Sequence, residues 1–151
     1  MLRARLNDAL KVAMKNRDTL KTNTVRLIVA ALKDRDIATR GKGKTDEISE
    51  DEILSMLQSM IKQRTESIKL YEQGGRAELA EQEQAEIGII QGFLPEPLSD
   101  DESASAIKEA ISEVGATSLK EMGKVMAILK EHHAGRMDFG KASAIIKEQL
   151  G

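Results

Sequence analysis

Three charged side chains fall where a helical chain ordinarily places apolar ones. Laid out at about 100° per residue, Ile53, Leu57, Met60, Ile61, Ile68 and Tyr71 form one helix face, and Arg64 lies in the middle of it. Glu83 and Glu86 lie within or beside a second stripe, Leu79, Ile87, Ile90 and Phe93. An unpaired charge in such a seam costs several kcal/mol, so Arg64 is expected to meet Glu86 or Glu83. The plainer reading is an ion pair that fixes helix register. The chemical reading is a polar pocket for a ligand, but no nucleophile or base accompanies the trio. Cys is 0, which excludes thiolate catalysis and thiolate metal sites, and no Ser, His and Asp set can be argued from the spacings.

Other motifs carry weaker chemistry. Gly41-Lys42-Gly43-Lys44-Thr45 resembles the end of a phosphate-binding loop, but Ala38 stands where that loop needs its first glycine, and a helix precedes it instead of a strand. It reads as a flexible basic loop. His132 and His133 are adjacent, so on a helix they point about 100° apart and do not chelate one metal; they suit a helix C-terminus. The run Glu78, Glu81, Glu83 and Glu86 lacks the partners of a metal cluster, so no metal and no cofactor is expected. Gly123 interrupts a helix and predicts a close approach, either a tight helix–helix contact or a phosphate backbone meeting Gly123 and Lys124. Lys120, Lys130, Arg136 and Lys141 could extend such a basic patch.

These residues must be held by helices. Leu2, Leu6, Ala9, Leu10, Ala13 and Met14 give a first helix, broken at Asn16–Thr19. Leu20, Leu27, Ile28, Ala31 and Leu32, widened by Val25 and Val29, give a second, expected to be buried on most sides. Ala38–Ile48 reads as a polar loop. Ser49 with Glu52 is a capping box opening a third helix that runs to about Gln73, where Gly74-Gly75 stops it. A fourth runs from about Arg76 to Gln91. Pro95 and Pro97 mark a linker. Ser99 with Glu102, Ser118 with Glu121, and Asp138 are expected to cap three further helices, with Gly115 and Gly135 as stops. The fold predicted is all-α: a four-helix N-terminal domain at residues 1–94 and a small three-helix C-terminal domain at 98–151. The core of the latter would draw on Ile107, Ile111, Val114, Leu119, Met122, Val125, Met126, Leu129, Ile145, Ile146 and Leu150.

Composition agrees with this. Of 151 residues, 40% are hydrophobic but only 2% aromatic, and Pro is 2, which favours an aliphatic helical core over a β-sandwich. Few aromatics also argue against base-stacking recognition of single strands. No apolar run approaches the roughly 20 residues that cross a bilayer, and Met1–Asp18 lacks the pattern of a leader, so a cytoplasmic chain with no membrane partner is expected. Charge is segregated: residues 1–44 carry 12 Lys/Arg against 4 Asp/Glu, and residues 45–110 carry 5 against 16. The two regions can attract each other within one fold, or leave a basic face for a polyanion and an acidic stretch, residues 46–102, for a protein partner.

Several stretches together resemble the GatB/YqeY family: Arg26-Leu27-Ile28; Ile61 to Ile68 with Tyr71; Arg76-Ala77-Glu78-Leu79-Ala80 with Glu83 and Glu86-Ile87; Phe93-Leu94-Pro95; Met122-Gly123-Lys124-Val125-Met126; and Gly135 followed by Asp138. The resemblance spans nearly the whole chain. It implies an all-α fold and kinship with the tail of the tRNA-dependent amidotransferase B subunit, which helps hold tRNA. The implied function is a tRNA-binding accessory module, with Gly123, Lys124 and Gly135 at its surface and Lys120, Lys130, Arg136 and Lys141 nearby. The family's label of carbon–nitrogen ligase with glutamine as amide donor belongs to the larger subunit. Its catalytic core is absent here, so no complete ligase activity is expected of the chain alone. The alternative is a protein–protein adaptor that binds no RNA. The chain departs from the family in carrying bulky Met137 before Asp138.

Overall fold

The computed structural model describes residues 1–43 and 47–151. Among the described residues the fold is all-α, with seven α-helices, one 3-10 turn and no strand. The chain divides into two compact units, Met1–Pro95 and Glu96–Gly151.

The first unit holds α1 (Leu2–Lys15), α2 (Thr19–Gly41), α3 (Glu50–Gln73) and α4 (Ala77–Gln91). α1 ends because Arg17 takes a left-handed conformation, φ 56°, letting the Asp18 amide reach back to the Ala13 carbonyl. The Asp18 carboxylate then caps α2 by accepting from the Lys21 amide. Ser49 and Glu52 form a reciprocal capping box on α3, whose first turn bears Glu50, Asp51 and Glu52 where the helix dipole favours them. Gly75, φ +71°, turns the chain into α4. α3 packs chiefly on α4 and α1 chiefly on α2. Leu2, Leu6, Val25, Ile28, Leu32, Ile53, Met56, Leu57, Ile90 and Phe93 fill the core.

Two readings of the second helix are corrected. Ala38–Gly41 continue α2 and are not loop. Nor is the helix buried on most sides: Leu20 and Leu27, read as core, are 37% and 50% exposed. Met14 of α1 is likewise half exposed. Apolar residues occupy two faces of α2, and only the Thr24, Val25, Ile28 and Leu32 face is covered. Lys44 and Thr45 of the phosphate-loop-like stretch lie outside the described residues.

The second unit holds α5 (Asp100–Val114), a 3-10 turn (Leu119–Glu121), α6 (Met122–His133) and α7 (Phe139–Leu150). Ser99 and Glu102 form a capping box, Gly115 ends α5 at φ +70°, and the Asp138 carboxylate accepts from the Gly140 and Lys141 amides. The cap expected from Ser118 and Glu121 is absent: the Ser118 side chain makes no capping bond, and the 3-10 turn occupies that position before α6 begins. Ile107, Val125, Leu129 and Ile146 are fully buried. Leu119 and Ile145, expected inside, are 49% and 36% exposed, while Met137 and the small residues Ala106, Ala110 and Ala142 complete the core. Met137 is therefore a packing residue at the α6–α7 turn.

Candidate interaction surfaces

The charged seam lies between α3 and α4. Arg64 Nε donates to Glu86 Oε2 at 3.2 Å and stands 3.9 Å from Glu83 Oε2, while Nη1 donates to the Met60 carbonyl. The Arg64 and Glu86 side chains are each 13% exposed. Burial and the neighbouring Glu86 charge push the Glu83 carboxyl above its ordinary value, and Arg64 opposes them. Nε and Nη1 of this largely buried guanidinium are engaged by the acids and the backbone, so the trio holds two antiparallel helices in register.

The cationic residues singled out on the second unit lie on the 3-10 turn, on α6, in the turn after it and on α7. Lys120, Lys124, Lys130 and Lys141 are exposed, but Lys124 and Lys130 lie about 120° apart around α6. Arg136 is engaged within its own unit: Nε donates to the Glu96 carbonyl at 2.8 Å, and its carbonyl accepts from the Leu98 amide. Gly135 is buried and takes φ +76°, which makes it a turn residue. Gly123 makes no tight helix–helix contact: a Cβ there would meet nothing within 4 Å. His133 sits in the last turn of α6 with Nδ1 buried and without a hydrogen-bond partner among the described residues. Burial first, then Arg136 and His132, push its pKa down, outweighing the favour a helix C-terminus gives to positive charge. No group of three or more His, Cys, Asp or Glu side chains among the described residues is arranged to hold a metal ion.

Sequence reasoning missed a second buried ion pair. Asp36, 6% exposed, accepts from both Nη atoms of Arg3 at 2.8 Å each and from the Ile48 amide at 2.9 Å. Arg3 Nη2 also donates to the Ile48 carbonyl, and Nε lies 3.4 Å from Glu47. The Arg3 hydrogen bonds hold the Asp36 carboxyl at about 2, with the Ile48 amide adding to them against the cost of burial. The signal was available: Asp36 follows Leu32 by one helical turn on the covered face of α2.

It also missed a groove of about 640 Å³ between α1, α2 and α4. Arg5, Asp8 and Lys21 supply its charges, and Gly88, Gly92 and Phe93 line α4's side. Arg5 Nη2 donates to the Gly92 carbonyl at 3.1 Å, and the guanidinium carbon lies 5.7 Å from the Phe93 ring centroid. One N–H and one face of the guanidinium are thus used to aim it, leaving Nε, Nη1 and the second hydrogen of Nη2 for other acceptors. Ala85, Gly88 and Gly92 fall on one face of α4. A Cβ on Gly88 would meet nothing within 4 Å, so internal packing does not require a glycine there.

The fold and these surfaces define an all-α protein of two helical units. No helix among the described residues is long and apolar enough to cross a membrane. The chain belongs to the YqeY-like protein family, whose model matches residues 3–150. It is 30% identical over 153 residues to a protein of Pyrenophora tritici-repentis, covering 97% of this chain and 80% of that one. A protein of Lachancea thermotolerans is 32% identical over 91 residues, and one of Candida glabrata 34% over 98, covering 60% and 64% of this chain. The matched part spans about half the length of those two relatives, 46% and 52%. All three are named Altered inheritance of mitochondria protein 41, mitochondrial.

Two expectations are corrected by these relatives. The function expected from the amidotransferase tail, a tRNA-binding module carrying a ligase label, gives way: the relatives are named for inheritance of mitochondria, with nothing in the name about tRNA or amidation. The cytoplasmic location also gives way, since those relatives are mitochondrial proteins. The resemblance correctly found the family but carried over the role of a larger, different protein.

Proposed function

We propose that the chain is a protein-binding helical module, and that its groove between α1, α2 and α4 receives a partner segment through a carboxylate. The observation that carries this reading is Arg5, fixed by the Gly92 carbonyl and the Phe93 ring with donors to spare at the groove. The guanidinium keeps four of its five N–H bonds, and the second hydrogen of Nη2 with either Nη1 or Nε matches a carboxylate in a forked geometry. Lys21 lines the same groove and forms no ion pair among the described residues, so the local balance with Asp8 favours an anion. Gly88 supports a polypeptide occupant: a bare helix surface lets a partner backbone approach closely, at a cost to α4 of about 1 kcal/mol relative to alanine. The volume falls within the range of about 300–1,000 Å³ of ordinary binding clefts.

We further propose that the two units are separate domains, four helices in residues 1–94 and three in 98–151, joined at Pro95–Pro97; limited proteolysis cutting first at that joint tests it.

The groove is tested by titrating the isotope-labelled chain with a Glu-containing peptide and its Gln counterpart, following the Gly88 and Gly92 amides and Arg5 Nε by NMR. The Glu peptide is expected to shift all three, and Arg5→Gln to abolish the response. Gly88→Ala is expected to raise the unfolding midpoint while weakening the peptide. Equal shifts with the Gln peptide, or an unchanged response in Arg5→Gln, remove the reading.

A further inference from the structure

α2 presents a second surface, on the side of the helix away from the core. Leu20, Leu27 and Ile37 are 37%, 50% and 53% exposed. At about 100° per residue they fall, with exposed Ala30, in an arc about 100° wide. Large apolar side chains seldom collect on one exposed face without a partner. One edge of the arc carries Arg26 and Lys33, about 20° apart around the axis and both exposed. Neither forms an ion pair among the described residues; Arg26 Nη2 touches only the half-exposed Met14 sulfur, at 3.9 Å. The arc also contains Asn23 and Asp34, both exposed.

We infer that this face docks an amphipathic helix of a partner protein, its apolar stripe lying on Leu20, Leu27 and Ile37 and its carboxylates along the edge facing Arg26 and Lys33. Charge complementarity selects the occupant. Two unpaired cations on one edge call for acidic side chains there, as flanking charges do in paired helices. Asp34, inside the apolar arc, disfavours a bilayer surface, because insertion would carry a carboxylate toward the acyl region. The same carboxylate calls for a hydrogen-bond donor within the partner's stripe. The inference shares with the proposed function the class of occupant, a polypeptide, but uses none of the groove's atoms.

The test is site-directed photo-cross-linking of the full chain in its own host cells. Benzoyl-phenylalanine replaces Leu27 or Ile37 in separate variants, with Gln84 on α4 as a control, and the linked peptides are sequenced by mass spectrometry. The inference expects one partner helix at both α2 positions and not at Gln84, with Asp or Glu on one edge of its apolar stripe. Arg26→Glu with Lys33→Glu is expected to lower that adduct at least tenfold while the helical circular-dichroism signal holds. Arg5→Gln is expected to leave it unchanged, which separates failure here from failure of the groove. A lipid adduct, a linked segment without acidic residues, indifference to the charge reversal, or no adduct at either position overturns the inference.

Discussion

Replacing Asp36 tests how the first unit is held together. Its carboxylate joins α1, through Arg3, to the Ile48 amide just before α3. The native carboxyl sits at about 2 against an ordinary 3.8. At 1.36 kcal/mol per decade that difference converts to roughly 2 kcal/mol of preference for the ionised form. Arg3 is 27% exposed along its side chain, so solvent screens part of this, leaving about 1–2 kcal/mol. Asp36→Asn keeps an acceptor for the Ile48 amide but loses the charge and the oxygen that accepts from Arg3 Nη1, so it is expected to cost about 1–2 kcal/mol or slightly more near neutral pH. Asp36→Ala also strands the amide and the guanidinium, raising the cost to about 2–4 kcal/mol. A folded-state pKa below the unfolded one stabilises above the unfolded value, and that stability is lost as pH falls from about 3.8 through about 2. Urea unfolding of wild type and Asp36→Asn should therefore show a gap near neutrality that narrows below about pH 4 and closes near pH 2. Equal stability at neutral pH, or a gap unchanged in acid, refutes the reasoning.

Arg64→Met leaves Glu83 and Glu86 facing each other and is expected to cost about 2–3 kcal/mol, less than a fully dry pair, because the side chains keep some solvent access. Thermal melts should show that deficit shrinking toward acid pH, since Glu83 is already held above its ordinary value and protonates early. Gly123→Ala should stabilise the chain by about 0.5–1 kcal/mol, as the added methyl meets nothing; a loss of stability there contradicts the packing of α6. Gly115→Ala should do the opposite, costing about 1 kcal/mol, because its φ of +70° penalises a side chain. Ser99→Ala removes one half of the α5 capping box and should cost about 1 kcal/mol in denaturant titrations.

The legible parts of the fold rest on local signals. Ser49 with Glu52, Ser99 with Glu102, and Asp138 announce helix starts because a cap and the amide it satisfies lie within three residues. Arg64 was legible because one charge broke a long apolar stripe and a short Gly-Gly turn named the helix it must face. Asp36 breaks a stripe in the same way, yet its partners lie 33 residues before it, in the first turn of α1, and 12 after it, at the Ile48 amide beyond the end of α2, so no single turn names both. Leu20 and Leu27 misled for a different reason. Periodicity shows that a face is apolar but not that the fold covers it, so a docking surface and a core look alike until the neighbours are placed.

The glycines show why the groove could not be found from the sequence and why it stands above the α6 surface. From the sequence Gly123 reads as a helix interruption and Gly115 as a helix stop, while Gly88 is not singled out. The structure separates them: Gly115 supplies a left-handed turn, whereas a side chain at Gly88 or Gly123 would meet nothing. A helix glycine that serves no internal contact weakens its helix, and a partner's close approach is one use that offsets the loss. At Gly123 no side chain is fixed beside the bare surface as Arg5 is at Gly88: Lys124 and Lys130 diverge around the helix, and Arg136 is turned toward the Glu96 carbonyl. At Gly88 an arginine is already aimed beside the bare surface, held by the carbonyl at the end of the same helix and by the adjoining ring. Two independent features of one groove point to an external ligand there, and only one does at the α6 site.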